Sequence, residues 1–277
     1  MLELSIRHIL FPFDFSCQAH AAARYVTAFA KRFGAHVSML SVVPSGYATV
    51  PATMGGTAIH ASERSEEWKR ALKCRLDREL LTEFSGVDVE RVVDCGDAAL
   101  RIEDFAHNAD VDLVMMPTHG LGVFRALLAG SVASKVLHDV RCPIWTAAHA
   151  YTQRAPELPR SIVCAVDATN EGVPLVQHAA LFSKRVGATL TILRVVEPEE
   201  VRDTASKAVE SMLAAAQVEA TTRVVVGDIV RRAAEAAREE HADLIIVGRG
   251  AIREPFARLR NHSLGIIEQS PCPVLSV

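Results

Sequence analysis

Apolar residues along this chain fall into two rhythms that alternate. Short runs rich in apolar residues occupy residues 6–13, 37–43, 87–93, 111–116 and 143–147 and predict strands, the run at 111–116 a buried one. Between them, apolar positions recur every three or four residues, as in Ala22, Tyr25, Val26, Phe29, Ala30 and Phe33 before Gly34. That spacing predicts a helix stopped by a glycine. Residues 63–83 predict a charged amphipathic helix, and residues 131–138 a short one. Asp97 is placed to cap a helix running to about Asn108. From residue 161 the pattern starts again, with strands near 161–166, 189–196, 222–226, 243–247 and 273–277. The helix at 228–240 is a charged face with a thin Ala/Val/Ile stripe.

The second round repeats the first. Ile9-Leu10-Phe11-Pro12-Phe13-Asp14 matches Ile162-Val163-Cys164-Ala165-Val166-Asp167, residue numbers rising by 153. The stretch from Ala35 to Val43 matches Ala188 to Val196 at the same offset of 153. Gly96-Asp97 matches Gly227-Asp228 at 131, and Cys142-Pro143 matches Cys272-Pro273 at 130. The offset falls by 22 between the second and third matches (153 less 131), so the first copy carries an insertion there. Residues 45–62, rich in Gly, Pro, Thr and Ala, fit that insertion and read as a loop.

Alternating strands and helices imply parallel sheets covered on both faces, and right-handed crossovers narrow the topology. The expected fold class is α/β, with two tandem doubly wound, Rossmann-like parallel sheets of five strands. The expected domains are residues 1–148 and 160–277, joined by a linker at 149–159. A length of 277 residues accommodates two such domains. Aromatics make up only 5%, so each core is aliphatic.

Composition narrows the function. The net charge is −3 and no basic stripe is visible, which argues against a nucleic-acid partner. No apolar run reaches the 18 or so residues of a membrane-spanning helix. Residues 6–13 lack the flanks of a signal peptide, so no membrane partner and a cytoplasmic setting are expected. None of the six cysteines forms a C-x-x-C pair, which argues against zinc and for a reducing compartment.

Candidate chemistry lies beyond the strand ends. After the fourth strand the chain reads Met116-Pro117-Thr118-His119-Gly120, then nine residues, then Gly130-Ser131 at a predicted helix start. Gly120 lets backbone approach an anion closely. Gly130 and Ser131 put free N–H groups and a hydroxyl at the positive end of a helix, where phosphate is attracted. Asp14, just past the first strand, stands at the same sheet edge, where its carboxylate can accept from a ribose or an adenine amine. Each element also has a plainer reading. The glycines can serve turn geometry alone, Asp14 can be a helix cap, and His119 can position the loop rather than act as a base. Cys142 and Cys272 read as small apolar residues.

With residues 11–16, Thr118-His119-Gly120, Gly130-Ser131-Val132 and Cys142-Pro143-Ile144, the chain resembles the universal stress protein family. The family fingerprint is G-x-x-G, nine residues, then G followed by Ser or Thr. The resemblance spans nearly the whole chain twice and implies a HUP-type fold in tandem. It implies ATP, alone or with Mg, as the ligand. Pro12, Asp14 and Val42 would stand near the nucleoside, with Met116, Thr118 and His119 lining the loop. Gly120, Gly130, Ser131 and Val132 would stand near the phosphates. The first fingerprint glycine is Pro117 here, which lacks an N–H and has a fixed φ. The resemblance also implies association through the last strands, as an internal pseudo-dimer or as a homodimer of chains.

In the second copy the cradle is lost. Without gaps, Gly130-Ser131 becomes Arg260-Asn261, and the loop shortens to Gly248-Arg249-Gly250. Arg249, Arg253, Arg258 and Arg260 read either as an anion site or as a solvated face. No Walker lysine, metal-binding carboxylate pair or nucleophile–base pair is present, so no catalytic or metal-ligating residue is assigned. The leading expectation is a non-catalytic protein that binds an adenine nucleotide in its first half and signals to protein partners. A structural module without nucleotide, and a slow ATPase or autophosphorylating protein, are the alternatives.

Overall fold

The computed structural model describes residues 4–44, 58–118, 131–147, 158–167, 172–197, 202–249 and 258–277, with the side chains of 58–65 and 258–261 excepted. The chain divides into two compact units, built chiefly on residues 6–125 with 130–142, and on residues 143–277.

In the first unit β1 (His8–Pro12) leads to α1 (Cys17–Phe33), β2 (His36–Val43) and α2 (Ala58–Leu76). There follow β3 (Val89–Cys95), α3 (Ala98–Asn108), β4 (Leu113–Pro117) and α4 (Ser131–Asp139). All three strand pairings are parallel: β2 lies between β3 and β1, and β1 between β2 and β4. The strand centres are fully buried, with Ile9, Leu10, Phe11, Val37, Val114 and Met115 at 0% exposure, as continuous aliphatic runs require. Gly34 ends α1 in the left-handed region at φ 69°, as its place after the last apolar position predicts. Asp97 caps α3 by accepting from Leu100 N.

The second unit begins with β5 (Ile144–Ala147) and continues β6 (Ser161–Val166), α5 (Gly172–Val186), β7 (Thr189–Val196) and α6 (Arg202–Ala216). It closes with β8 (Thr221–Val226), α7 (Ile229–Glu239), β9 (Leu244–Val247), α8 (Arg258–Gln269) and β10 (Val274–Ser276). Its strand order is β8-β7-β6-β9-β10-β5. Neighbours are parallel except β10 and β5, which run antiparallel with Leu275 opposite Trp145. The last strand of the first sequence repeat therefore pairs with the last strand of the second.

The repeat extends to single bonds. Asp112 Oδ2 accepts from the N–H groups of Arg7 and His8, and Asp243 Oδ2 from those of Arg160 and Ser161. Gly96 (φ 145°) and Gly227 (φ 138°) donate to Val43 O and Val196 O. A Cβ at either glycine would lie 2.8 Å from the Nε of Arg101 or Arg232, a flexible side chain that could shift, so it is the positive φ that favours glycine.

Two boundaries differ from the sequence pattern. Residues 58–62, expected in the inserted loop, are helical, and α2 ends at Leu76 rather than near Glu83. Beyond Leu76 the guanidinium of Arg91, from β3, donates to Leu76 O (3.1 Å) and Glu79 O (2.9 Å). That side chain satisfies carbonyls a longer helix would have bonded itself. Leu80 then takes a positive φ of 55°, which a helix does not contain.

Candidate functional site

Parallel pairing of β1 with β2 and β4 brings three C-terminal strand ends to one edge, and the strand order reverses at β1. Ligands on such sheets bind beyond that edge, at the reversal. Pro12 ends β1, half-buried and opposite Leu40 of β2. Asp14 follows, also half-buried, and its Oδ1 accepts from Ser16 N at 3.0 Å. Such a turn fixes the backbone two residues on. Ser16 is the N-cap of α1, its Oγ accepting from Ala19 N at 3.0 Å. The plainer reading of Asp14 thus needs refining: the cap is Ser16, and Asp14 braces it.

Val42 lies near the end of β2, half-buried and opposite Asp94 of β3. Met116 (6% exposed) is buried near the end of β4, and Thr118 (2%) is buried just past it. Pro117, in place of a glycine, is the last residue of β4 itself, extended backbone that its fixed φ tolerates. Ser131 is the first residue of α4 and is exposed, with Val132 half-buried beside it. The first N–H groups of a helix have no partner within it, so this end of α4 presents donors. His119, Gly120 and Gly130 lie outside the described residues.

Lys135 was among the residues passed over in the sequence. Four residues after Ser131 and so on its face of α4, it has Nζ 3.5 Å from Asp97 Oδ1. The Asp97 carboxyl is held below its ordinary value, first by the Leu100 N–H and then by Lys135. A cation therefore stands one turn above the start of α4, and helical spacing from Ser131 was the signal that could have found it.

The second half differs at each corresponding place. Asp167 follows β6, but a Cβ on Gly172 would lie 2.5 Å from Met212 Cε and 3.2 Å from Asp167 O, so Met212 packs tightly against the start of α5. Arg249 N donates to Val277 O at 2.9 Å, and Ser263 Oγ to Gly248 O at 3.3 Å. Gly248 and Arg249, just after β9, are thus bonded within their own unit. Arg260 and Asn261 lie within α8. Arg253 lies outside the described residues.

The cysteines behave as apolar residues where they are buried. Burial pushes the thiols of Cys164 and Cys272 up to about 12. Among the described residues no three His, Cys, Asp or Glu side chains gather as metal ligands, and no helix is long and apolar enough to cross a membrane.

Comparison with known proteins agrees with this geometry. The model of the universal stress protein family matches residues 5–147 and again residues 159–277. A universal stress protein of Methanocaldococcus jannaschii is 31% identical over 139 residues, 50% of this chain and 79% of that protein. One of Synechocystis is 32% identical over 113 residues, 40% of this chain and 70% of that protein. The crystal structure of a universal stress protein from Archaeoglobus fulgidus superposes with a TM-score of 0.72 at 21% identity, covering 98% of this chain and 96% of that one.

Proposed function

The chain belongs to the universal stress protein family, and on that premise we propose that it binds one adenine nucleotide, ATP, in its first half as a non-catalytic stress-response protein. The observation that carries this reading is the contrast between the two halves. In the first, the edge beyond β1 and β4 is lined by half-buried Asp14 and Val42 and by the exposed start of α4 at Ser131. In the second, Met212 packs on Gly172 and the Arg249 N–H is spent on Val277 O.

The residues present fit the nucleotide. Asp14 would accept from the ribose or the adenine amine, Pro12 and Val42 would pack on the nucleoside, and buried Met116 and Thr118 would form the floor. Gly120, Gly130 and the N–H groups of Ser131 and Val132 would hold the phosphates, with positive partial charge at the helix end. On this reading the site binds and reports rather than turning the ligand over.

A reading as a structural or protein-interaction module is favoured by one observation, that Asp14 already braces Ser16 at 3.0 Å. Replacing Gly130 with Val separates the two. A branched Cβ there holds phosphate away from the N–H groups of α4. Losing two charge-assisted hydrogen bonds, about 1.5–3 kcal/mol each, weakens binding by roughly two to four orders of magnitude. Unchanged ATP affinity in folded Gly130→Val, read by calorimetry, favours the structural module.

A further inference from the structure

The first turn of α1 carries a group that the nucleotide reading does not use. His20 is braced at both ring nitrogens: Nδ1 lies 2.9 Å from Ser16 O and Nε2 lies 3.0 Å from Glu79 Oε2. A carbonyl and a carboxylate only accept, so both contacts are made together only by a ring that carries two protons. Ser16 is the same residue whose N–H donates to Asp14 Oδ1. A chain of hydrogen bonds therefore runs from Glu79, beyond α2, through His20 and Ser16 to Asp14.

The surroundings reinforce it. Phe13 and Phe15 flank Asp14 in the chain. The His20 ring meets Phe13 edge-on with centroids 5.0 Å apart, and Phe13 meets Phe15 at 5.0 Å. Phe15 holds a left-handed φ of 62°, rare for an aromatic residue, with the Arg75 guanidinium 4.0 Å above its ring. Arg75 also lies 3.7 Å from Glu79. The charged groups facing the imidazole are thus Glu79 and Glu83, with Arg75 beside Glu79. In the second half the offset of 153 puts Val173 at this position.

We propose that His20 is a proton-operated positioning residue: doubly protonated, it holds the Asp14–Ser16 turn in the form that receives the nucleotide, and its deprotonation weakens nucleotide binding. The nucleotide part rests on the function proposed above. Burial works against the charge on His20, but the Ser16 carbonyl and the Glu79 and Glu83 carboxylates outweigh it, and its pKa stands above the ordinary value. The contribution of a raised pKa is complete below about 6.5 and is lost as pH rises through the folded value.

The test follows the full-length protein by NMR from pH 5.5 to 9, reading the His20 ring and the Ser16 amide, with ATP affinity measured over the same range. The Ser16 amide should titrate with the midpoint of the His20 ring, above about 6.5. Affinity for ATP, taken as the ratio of parent to His20→Gln so that the ionisation of ATP cancels, should fall about three- to tenfold across that midpoint. Glu79→Gln should move both midpoints down. A flat Ser16 amide in the parent, or a His20→Gln protein with the parent's pH profile, overturns the proposal. A Ser16 amide that titrates with His20 in a parent that binds no ATP at any pH overturns the nucleotide reading and leaves only a turn clamp.

Discussion

Replacing Asp14 with alanine removes two things that asparagine separates: an acceptor for the Ser16 N–H and a negative charge at the sheet edge. The acceptor role is visible as the 3.0 Å contact between Oδ1 and Ser16 N at a half-buried site. A net hydrogen bond in such a place contributes about 0.5–1.5 kcal/mol. For a chain of this size that is a fall in Tm of about 1–6 °C for Asp14→Ala. Asparagine keeps the side-chain oxygen, so Asp14→Asn should melt within about 1 °C of the parent. The nucleotide depends on the charge as well. Losing a charge-assisted bond costs about 1.5–3 kcal/mol, so alanine should weaken ATP binding by roughly one to two orders of magnitude. Asparagine, a neutral acceptor of about half the strength, should weaken it about tenfold or less. Asp167→Ala, the parallel change in the second half, should leave ATP affinity where it was. Calorimetry gives the affinities and thermal melts monitored by circular dichroism give the stability. If both Asp14 variants fold and bind ATP as the parent does, Asp14 is a turn brace only and the nucleoside does not meet it.

Other outcomes follow from single contacts. Arg91→Ala should destabilise the protein by about 1–3 kcal/mol in urea, because the carbonyls of Leu76 and Glu79 lose their donor; a loss under about 0.5 kcal/mol means that water replaces the guanidinium. At pH 8 a thiol reagent should modify exposed Cys17 and Cys74 first and leave Cys164 and Cys272 unreacted, since burial holds the latter two protonated up to about 12. Mass-mapping of the modified residues checks this, and early labelling of Cys164 would contradict it.

What could be read in the sequence and what could not divide along the reach of the interactions. The end of α1 at Gly34 and the cap Asp97 are local devices, decided within a few residues, and they stand where the pattern puts them. The end of α2 depends on Arg91, 15 residues past Leu76 and brought back by the pairing of β3 with β2. No periodicity within α2 encodes that partner. At the candidate site, Asp14 and Ser131 were readable because strand ends and helix starts are marked by residue type. Ser16, His20 and Lys135 were not singled out, since serine, histidine and lysine in a helical first turn or face have many uses. Only the distances to Asp14, Glu79 and Asp97 give them one.

The central claim is that one half of a duplicated fold kept its nucleotide edge while the other closed its own. Isothermal titration of the full chain with ATP tests it most directly. The account predicts a single site per chain, removed by Gly130→Val and untouched by Asn261→Ala. Two equivalent sites, or one site that survives Gly130→Val in a folded protein, would contradict it.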